Sequence, residues 1–192
     1  FCVIGNYVRS YVYGFDFIIL DNEHGSADFE TTEHMLRAAR ASGIVPVVRC
    51  LESDISRVLD MGASGVQIPM VNTPEQAQAL VRQVRYPGGF GTAASAGKSG
   101  QRGSAFSTRA AGYGAFGGAA HTQRSNDGVA LIAMVETPEG AANAGAIAAV
   151  DGVDAVFVGP NDLAHSMGFG SDWNAAPVAA AIEQALRAIA DA

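Results

Sequence analysis

Short apolar segments alternate along this chain with segments of helical periodicity. The apolar segments are rich in Val, Ile and Phe and stay apolar at successive positions, which favours strands buried on both faces of a sheet. The predicted strands are Phe15–Leu20, Val45–Arg49, Gly65–Val71, Ala130–Glu136 and Ala155–Gly159. The predicted helices are Thr31–Ala41, Asp54–Met61, Pro74–Val84, Ala141–Ala149 and Ala175–Ala190. Strands that alternate with helices predict βαβ units and a parallel sheet, and therefore an α/β fold.

The stretch between residues 85 and 127 differs from the rest of what we predict to be a single domain, 1–192. It is polar and glycine-rich, has no clear periodicity, and therefore predicts a long loop. Residues 112–117 match GxGxxG, but no strand precedes them and no convincing helix follows. Residues 91–99 resemble a P-loop with one residue too many between the glycines. We expect neither motif to bind a nucleotide.

Four of the predicted strands deliver an ionisable side chain at their carboxyl end. In parallel α/β proteins, this end of the sheet is where active sites lie. One charge at a strand end is usually just solvated, but four together favour function. The side chains are Asp21, Glu23 and His24 after the first strand, Arg49 in the second, Glu136 in the fourth and Asp162 after the fifth.

Composition excludes several classes of protein. The 192 residues are 48% hydrophobic and 16% charged, which is typical of a globular chain. The net charge of −7, without a Lys/Arg cluster, argues against nucleic acid and anionic membranes as partners. No apolar stretch approaches a membrane span, and no signal peptide is visible at the N-terminus. Cys2 and Cys50 are expected to be reduced thiols of a cytoplasmic protein.

Glu136 and Asp162 are carboxylates on successive strand ends, which converge on one mouth in a parallel barrel. Hard oxygen ligands suit Mg²⁺ or Mn²⁺, with Co²⁺ or Zn²⁺ as alternatives. A structural interpretation also exists for both residues. Glu136 could favour the N-terminus of the next helix, and Asp162 could form hydrogen bonds within a Gly-Pro-Asn turn.

His24 is the best candidate for a general base, because histidine titrates near neutral pH and Asp21 and Glu23 are close enough in sequence to orient it. The alternative is a surface histidine after a strand. Arg49 must be paired, because it ends a buried strand. It could grip a carboxylate or a developing enolate, or form a structural ion pair with Asp21 or Glu23. These two uses of Arg49 are compatible.

Taken in order, the segments LDNEHG, PVVR, GVQIPMV, QRG, VETPEG and VGPNDL resemble the HpcH/HpaI aldolase family over roughly residues 15–170. The family comprises metal-dependent class II pyruvate aldolases, such as 4-hydroxy-2-oxoheptanedioate aldolase, and is related to the citrate lyase β-subunit superfamily. The resemblance implies a TIM-type (β/α)8 barrel of the phosphoenolpyruvate/pyruvate superfamily. It implies that His24 is the acid/base residue, working through metal-bound water with support from Asp21. Arg49 would stabilise the enolate oxygen of pyruvate.

The resemblance further implies that Glu136 and Asp162 bind the metal, and that backbone amides near Asn161 and Asp162 hold the pyruvate carboxylate. The implied reaction is reversible cleavage of a 4-hydroxy-2-oxo acid to pyruvate and an aldehyde, so the partners are small molecules. No lysine ends a strand, and Lys98 is the only one in the chain, which argues against Schiff-base chemistry.

The chain departs from the family pattern in three places. Only Phe1–Gly14 precede the first strand, the chain ends after what would be the sixth strand and its helix, and Pro87–Gly100 looks like an insertion. Six strands cannot close the standard barrel. We therefore expect a barrel that is incomplete at both ends, and a homo-oligomer that covers the exposed edges.

Two other functions stay open from the sequence. An acyl-CoA lyase of the malyl-CoA or citryl-CoA type would use the same scaffold, but would need a basic groove for the CoA phosphates that the sequence does not show. A truncated, non-catalytic barrel protein would fit the departures, but the presence of His24, Arg49, Glu136 and Asp162 opposes it.

Overall fold

A computed structural model of the chain describes residues 14–88, 100–116 and 118–192. These residues form two compact units, each with parallel strands and helices. The first unit takes the described parts of Phe1–Gln67 and Arg82–Ala130, and the second takes Ile68–Val81 and Leu131–Ala192. The predicted α/β class with parallel strands is therefore confirmed.

Strands and helices alternate along the chain. The strands are β1 (Phe17–Asp21), β2 (Val45–Arg49), β3 (Gly65–Ile68), β4 (Ala130–Val135) and β5 (Ala155–Val158). The α-helices are α1 (Phe29–Ala41), α2 (Ile55–Asp60), α3 (Pro74–Val84), α4 (Ala119–Gly128), α5 (Pro138–Ala142), α6 (Ala144–Ala148), α7 (Pro160–Ser166) and α8 (Ala176–Ala190). Short 3₁₀ helices lie at Glu52–Asp54 and Gly112–Gly114.

In the first unit, β2 pairs in parallel with β1 on one side and with β3 on the other. Parallel neighbours need a crossover, and α1 and α2 supply the crossovers here. β3 is buried along its whole length, whereas β1 and β2 begin with the exposed residues Phe17 and Val45. The most deeply buried side chains of this core include Leu20, Leu36, Val48, Val58 and Val66, each at most 1% exposed.

Helix α1 begins at a capping residue that also fixes the loop before it. The Asp28 side chain accepts a hydrogen bond from Thr31 N at 2.8 Å, and this bond lowers the pKa of the Asp28 carboxyl. The hydroxyl of buried Thr32 donates to Asn22 Oδ1 at 2.9 Å. The loop that follows β1 is therefore tied to the first turn of α1.

In the second unit, β4 and β5 pair in parallel, and α8 packs against α5, α6, α7 and β5. Gly145 allows α6 to approach α8 closely, because a Cβ at this position would lie 3.0 Å from the carbonyl oxygen of Ala188. Thr137 caps α5 by accepting from Gly140 N at 3.0 Å. The buried apolar residues of this unit include Leu131, Val135, Ile147, Leu163 and Val178.

The QRG segment and α4 are anchored in the first unit by a buried arginine. Arg102 donates from Nη2 to Asp60 Oδ1 at 2.8 Å and from Nη1 to Ser125 Oγ at 3.0 Å. Its guanidinium lies 4.4 Å from the centre of the Tyr86 ring. Burial raises the pKa of Tyr86 and lowers the pKa of His121, whose Nε2 lies 3.4 Å from the Tyr86 hydroxyl oxygen.

The structure differs from the predicted elements in the middle of the chain. We predicted no regular element between residues 85 and 127, but α4 occupies Ala119–Gly128. Its sequence, AAHTQRSNDG, has weak amphipathic character, so the periodicity gave no signal. A helix thus does follow the GxGxxG segment, although residues 100–116 form no strand before it.

Two other predicted elements have different bounds. The third strand ends at Ile68 instead of Val71, because Pro69 has no N–H and Met70 turns to a φ of 58°. The predicted helix Ala141–Ala149 is divided into α5 and α6 at Asn143. In addition, the expected Gly-Pro-Asn turn is the start of α7, with Pro160 at its first position.

Some predictions fall on residues that lie outside the described ranges. These are Cys2, Lys98, the P-loop-like segment 91–99 and most of the expected insertion Pro87–Gly100. The described ranges contain five strands, and the expected total of six stays a prediction. None of the helices in these ranges is both long enough and apolar enough to cross a lipid bilayer.

Candidate active site

Asp21 and Arg49 are the last residues of β1 and β2 and are register partners. Arg49 Nε donates to Asp21 Oδ1 at 2.8 Å, and Arg49 Nη2 donates to Asp21 Oδ2. The Asp21 side chain is only 6% exposed and that of Arg49 20%. A bidentate pair of this kind fixes the plane of the guanidinium. The ion pair that the sequence allowed is therefore formed.

The same carboxylate organises the turn after β1. Asp21 Oδ1 also accepts from Glu23 N at 3.1 Å and from His24 N at 3.3 Å. The chain then passes so close to itself that a Cβ at Gly25 would lie 2.1 Å from the Asp21 carbonyl oxygen. Only glycine fits there, which accounts for the last residue of the LDNEHG segment.

His24 projects from this turn with a side chain that is 66% exposed. Its Nε2 lies 3.7 Å from Glu23 Oε1, and Glu23 Oε2 lies 3.5 Å from Arg49 Nε. Asp21 thus supports His24 through the backbone, while Glu23 is the carboxylate beside the imidazole. An exposed imidazole next to a carboxylate can exchange a proton with a bound molecule.

Gln67 is a residue of this region that the sequence analysis overlooked. It is the register partner of Arg49 on β3 and is 2% exposed. Register partners in parallel strands point to the same face of the sheet, so Asp21, Arg49 and Gln67 form a polar row at the carboxyl ends of three strands. The signal was present as one amide within the otherwise apolar segment GVQIPMV.

Cys50 directly follows Arg49. Its side chain is fully buried, and burial raises the pKa of the thiol to about 12. A thiol with a raised pKa is less reactive at neutral pH than an exposed one.

In the second unit, Glu136 directly follows β4 and is 3% exposed. Its Oε1 accepts a hydrogen bond from Met70 N at 2.9 Å. On the other side, a Cβ at residue 159 would lie 2.7 Å from Glu136 Oε2, so a glycine is needed for the backbone to come this close to the carboxylate. The Glu136 carboxylate is therefore a buried acceptor for the backbone at Met70.

Asn161 and Asp162 lie in the first turn of α7 and are both exposed. Pro160 has no N–H, and the first helical bond is donated by Leu163 N to Gly159 O at 3.1 Å. Ser166 Oγ lies 2.7 Å from the Asp162 carbonyl oxygen and 3.4 Å from that of Glu136. The helix start is thereby linked to the end of β4.

Glu136 and Asp162 fit a hard divalent cation in their chemistry, because both offer carboxylate oxygens, which Mg²⁺ and Mn²⁺ prefer. Within the described ranges, no group of three or more His, Cys, Asp or Glu side chains is arranged to hold a metal. Any cation there would take its other ligands from water or from a bound molecule.

In the first unit, the parallel strands β1 and β2 carry Asp21 and Arg49 at their carboxyl ends, which is the edge where active sites of α/β enzymes lie. The model of the HpcH/HpaI aldolase/citrate lyase family matches residues 7–192. Since this match covers nearly all of the chain, the chain belongs to this family, as its motifs predicted.

The relatives with similar sequences include named aldolases. The chain is 39% identical over 158 residues to a 2-dehydro-3,6-dideoxy-6-sulfogluconate aldolase of Pseudomonas putida, covering 81% of this chain and 57% of the relative. It is 41% identical over 186 residues to a hydroxypyruvate/pyruvate aldolase of Deinococcus radiodurans, covering 93% and 62%. The chain therefore spans about three fifths of the length of these relatives.

A solved structure supports the same assignment of fold. A HpcH/HpaI aldolase/citrate lyase family protein from Burkholderia cenocepacia matches with a TM-score of 0.84 at 34% identity. The match covers 93% of this chain and 68% of that protein.

We expect the Asp21→Asn substitution to destabilise the chain by about 2 kcal/mol, because it removes the bidentate counter-charge of a largely buried guanidinium and leaves the longer contact with Glu23. The free energy of unfolding from urea titration at pH 7 measures this. The control is Glu33→Gln, which breaks the exposed ion pair between Glu33 and Arg37 and should cost about 0.5 kcal/mol or less. Equal losses in the two variants would contradict the role given to Asp21.

Proposed function

We propose that this chain carries the catalytic residues of a metal-dependent class II pyruvate aldolase. The reaction is reversible cleavage of a 4-hydroxy-2-oxo acid. The 4-hydroxyl loses its proton, the C3–C4 bond breaks to release an aldehyde, and the electron pair moves into the enolate of pyruvate. Protonation of this enolate at C3 then gives pyruvate.

The bidentate Asp21–Arg49 pair with His24 on the same turn carries this proposal. Aldol cleavage needs a base for the hydroxyl proton and a fixed positive charge for the enolate oxygen. His24 is exposed and stands beside Glu23, which suits proton transfer. Arg49 is held in plane by Asp21, so it needs little reorganisation when negative charge develops.

In the second unit, Glu136 and Asp162 would hold a divalent cation, with Mg²⁺ or Mn²⁺ favoured by the oxygen ligands and Co²⁺ or Zn²⁺ as alternatives. Such a cation, when bound, supplies Lewis acidity toward the carbonyl group of the 2-oxo acid. The backbone amides of Asn161 and Asp162 lie in the first turn of α7, where N–H groups have no helical acceptor. They would bind the pyruvate carboxylate.

The names of the relatives suggest which 2-oxo acids to test as substrates. The Deinococcus radiodurans relative is named for hydroxypyruvate as well as pyruvate, so both 2-oxo acids should be tried with a series of aldehydes. A closed eight-stranded barrel, a homo-oligomer and a cytoplasmic location stay predictions. Light scattering on the purified chain gives its mass in solution and so tests whether it forms a homo-oligomer.

We expect His24→Ala to lower kcat for aldol cleavage by about 10²–10⁴-fold, because a positioned acid/base group typically contributes this much. Pyruvate inhibition should change little, since His24 acts on the hydroxyl proton and not on the 2-oxo acid group. The matched control is His34→Ala, which alters an exposed histidine on α1. A near-normal kcat in His24→Ala would contradict this role and return His24 to the alternative of a surface histidine.

We expect Glu136→Ala and Asp162→Ala each to abolish or greatly weaken Mn²⁺ binding in calorimetric titration, because each removes a carboxylate ligand. Circular dichroism should show that the fold is retained. Glu139→Ala is the control, since Glu139 is an exposed carboxylate in the first turn of α5. Unchanged Mn²⁺ affinity in both ligand variants would contradict the metal assignment.

A further inference from the structure

Met70 has a backbone conformation that its side chain disfavours. Its φ is 58°, and among the described residues only Tyr113 shares a positive φ without being glycine. In this left-handed region the Cβ of methionine comes too close to the backbone, whereas glycine and asparagine tolerate the conformation much better. Such strain persists only where surrounding contacts demand it, and it is frequent at functional sites.

The Met70 side chain does not explain the strain, because the residue is 52% exposed. The backbone does make a specific contact. Met70 N donates to Glu136 Oε1 at 2.9 Å, and Glu136 is 3% exposed. A hydrogen bond from an amide to a buried carboxylate is charge-assisted, and it is therefore stronger than a neutral one.

The residues that follow hold this conformation in place. Val71 N donates to Met134 O at 2.9 Å, which returns the chain to the side of β4 directly after the turn. Asn72 O accepts from Asn143 Nδ2 at 2.7 Å, and Asn72 Oδ1 accepts from the Thr137 hydroxyl. The backbone after Met70 is thus fixed to the segment that begins α5.

The other oxygen of Glu136 has a different neighbour. At residue 159, a Cβ would lie 2.7 Å from Glu136 Oε2 and 2.9 Å from Glu136 Cβ. The carboxylate therefore lies between the Met70 N–H on one side and the closely approaching backbone of Gly159 on the other, where a side chain would clash. Both neighbours restrict the orientation of the Glu136 carboxylate.

We propose that Met70 is a positioning residue for Glu136. Its left-handed backbone aims the N–H at Oε1, and this fixes the carboxylate in the orientation that binds a divalent cation. The proposal rests on the proposed function, since it assumes that Glu136 is a metal ligand. The role belongs to the backbone of Met70 and not to its side chain.

Two substitutions separate the role of the backbone from that of the side chain. Asparagine tolerates a positive φ, and Met70→Asn keeps the backbone N–H at position 70. Its Mn²⁺ affinity, measured by calorimetry, should therefore stay within about twofold of that of the unaltered chain. Met70→Ile adds a β-branch that opposes this conformation, and Mn²⁺ affinity should fall by about tenfold or more, as for other outer-shell changes. Equal affinity in the Ile variant, or an equal loss in both, would overturn the proposal.

A second measurement needs neither metal nor activity and applies even if Met70→Ile fails to fold. The Met70 amide should exchange its hydrogen slowly in the unaltered chain, and at least about tenfold faster in Glu136→Ala, as followed by NMR. Unchanged exchange would overturn the coupling between Met70 and Glu136. If the unaltered chain does not bind Mn²⁺ but the amide result holds, the metal assignment fails and the positioning contact stands without it.

Discussion

The geometry of the first unit depends on one requirement, that the arginine at the end of β2 be paired. A guanidinium among buried strands cannot stay without a counter-charge, and Asp21 meets it from the adjacent strand in a bidentate contact. The same carboxylate caps the turn that carries Glu23 and His24, and Gly25 allows that turn to close. A single ion pair therefore fixes a cation and a proton acceptor together, which is what a reaction through an enolate requires.

In the second unit the corresponding constraint falls on a carboxylate. Glu136 is buried, and it accepts a hydrogen bond from the backbone of Met70, which adopts a strained conformation. The backbone of Gly159 approaches its second oxygen closely. Strain at Met70 is a local cost to folding, and such strain is frequent at functional sites.

The sequence predicted much of this, and its failures have physical causes. Apolar runs with charged ends predicted the strands and identified Asp21, Arg49 and Glu136 as candidates, because burial on both faces favours consecutive apolar residues. Helix α4 was missed because its polar sequence is held by Arg102 through tertiary contacts and not by an amphipathic face. The left-handed turn at Met70 could not be predicted, because the contact that demands it comes from a residue far along the chain. Gln67 was overlooked because only the pairing register of β2 and β3 places it beside Arg49.

The central claim is that this chain stabilises the enolate of pyruvate, and exchange of the pyruvate methyl hydrogens with solvent tests it most directly. In D₂O with Mg²⁺, proton NMR should show loss of the pyruvate methyl signal in the presence of the chain. Exchange should stop when the metal is chelated and should fall greatly in Arg49→Ala. Methyl exchange no faster than in buffer, with Mg²⁺ present and the chain folded, would contradict the account.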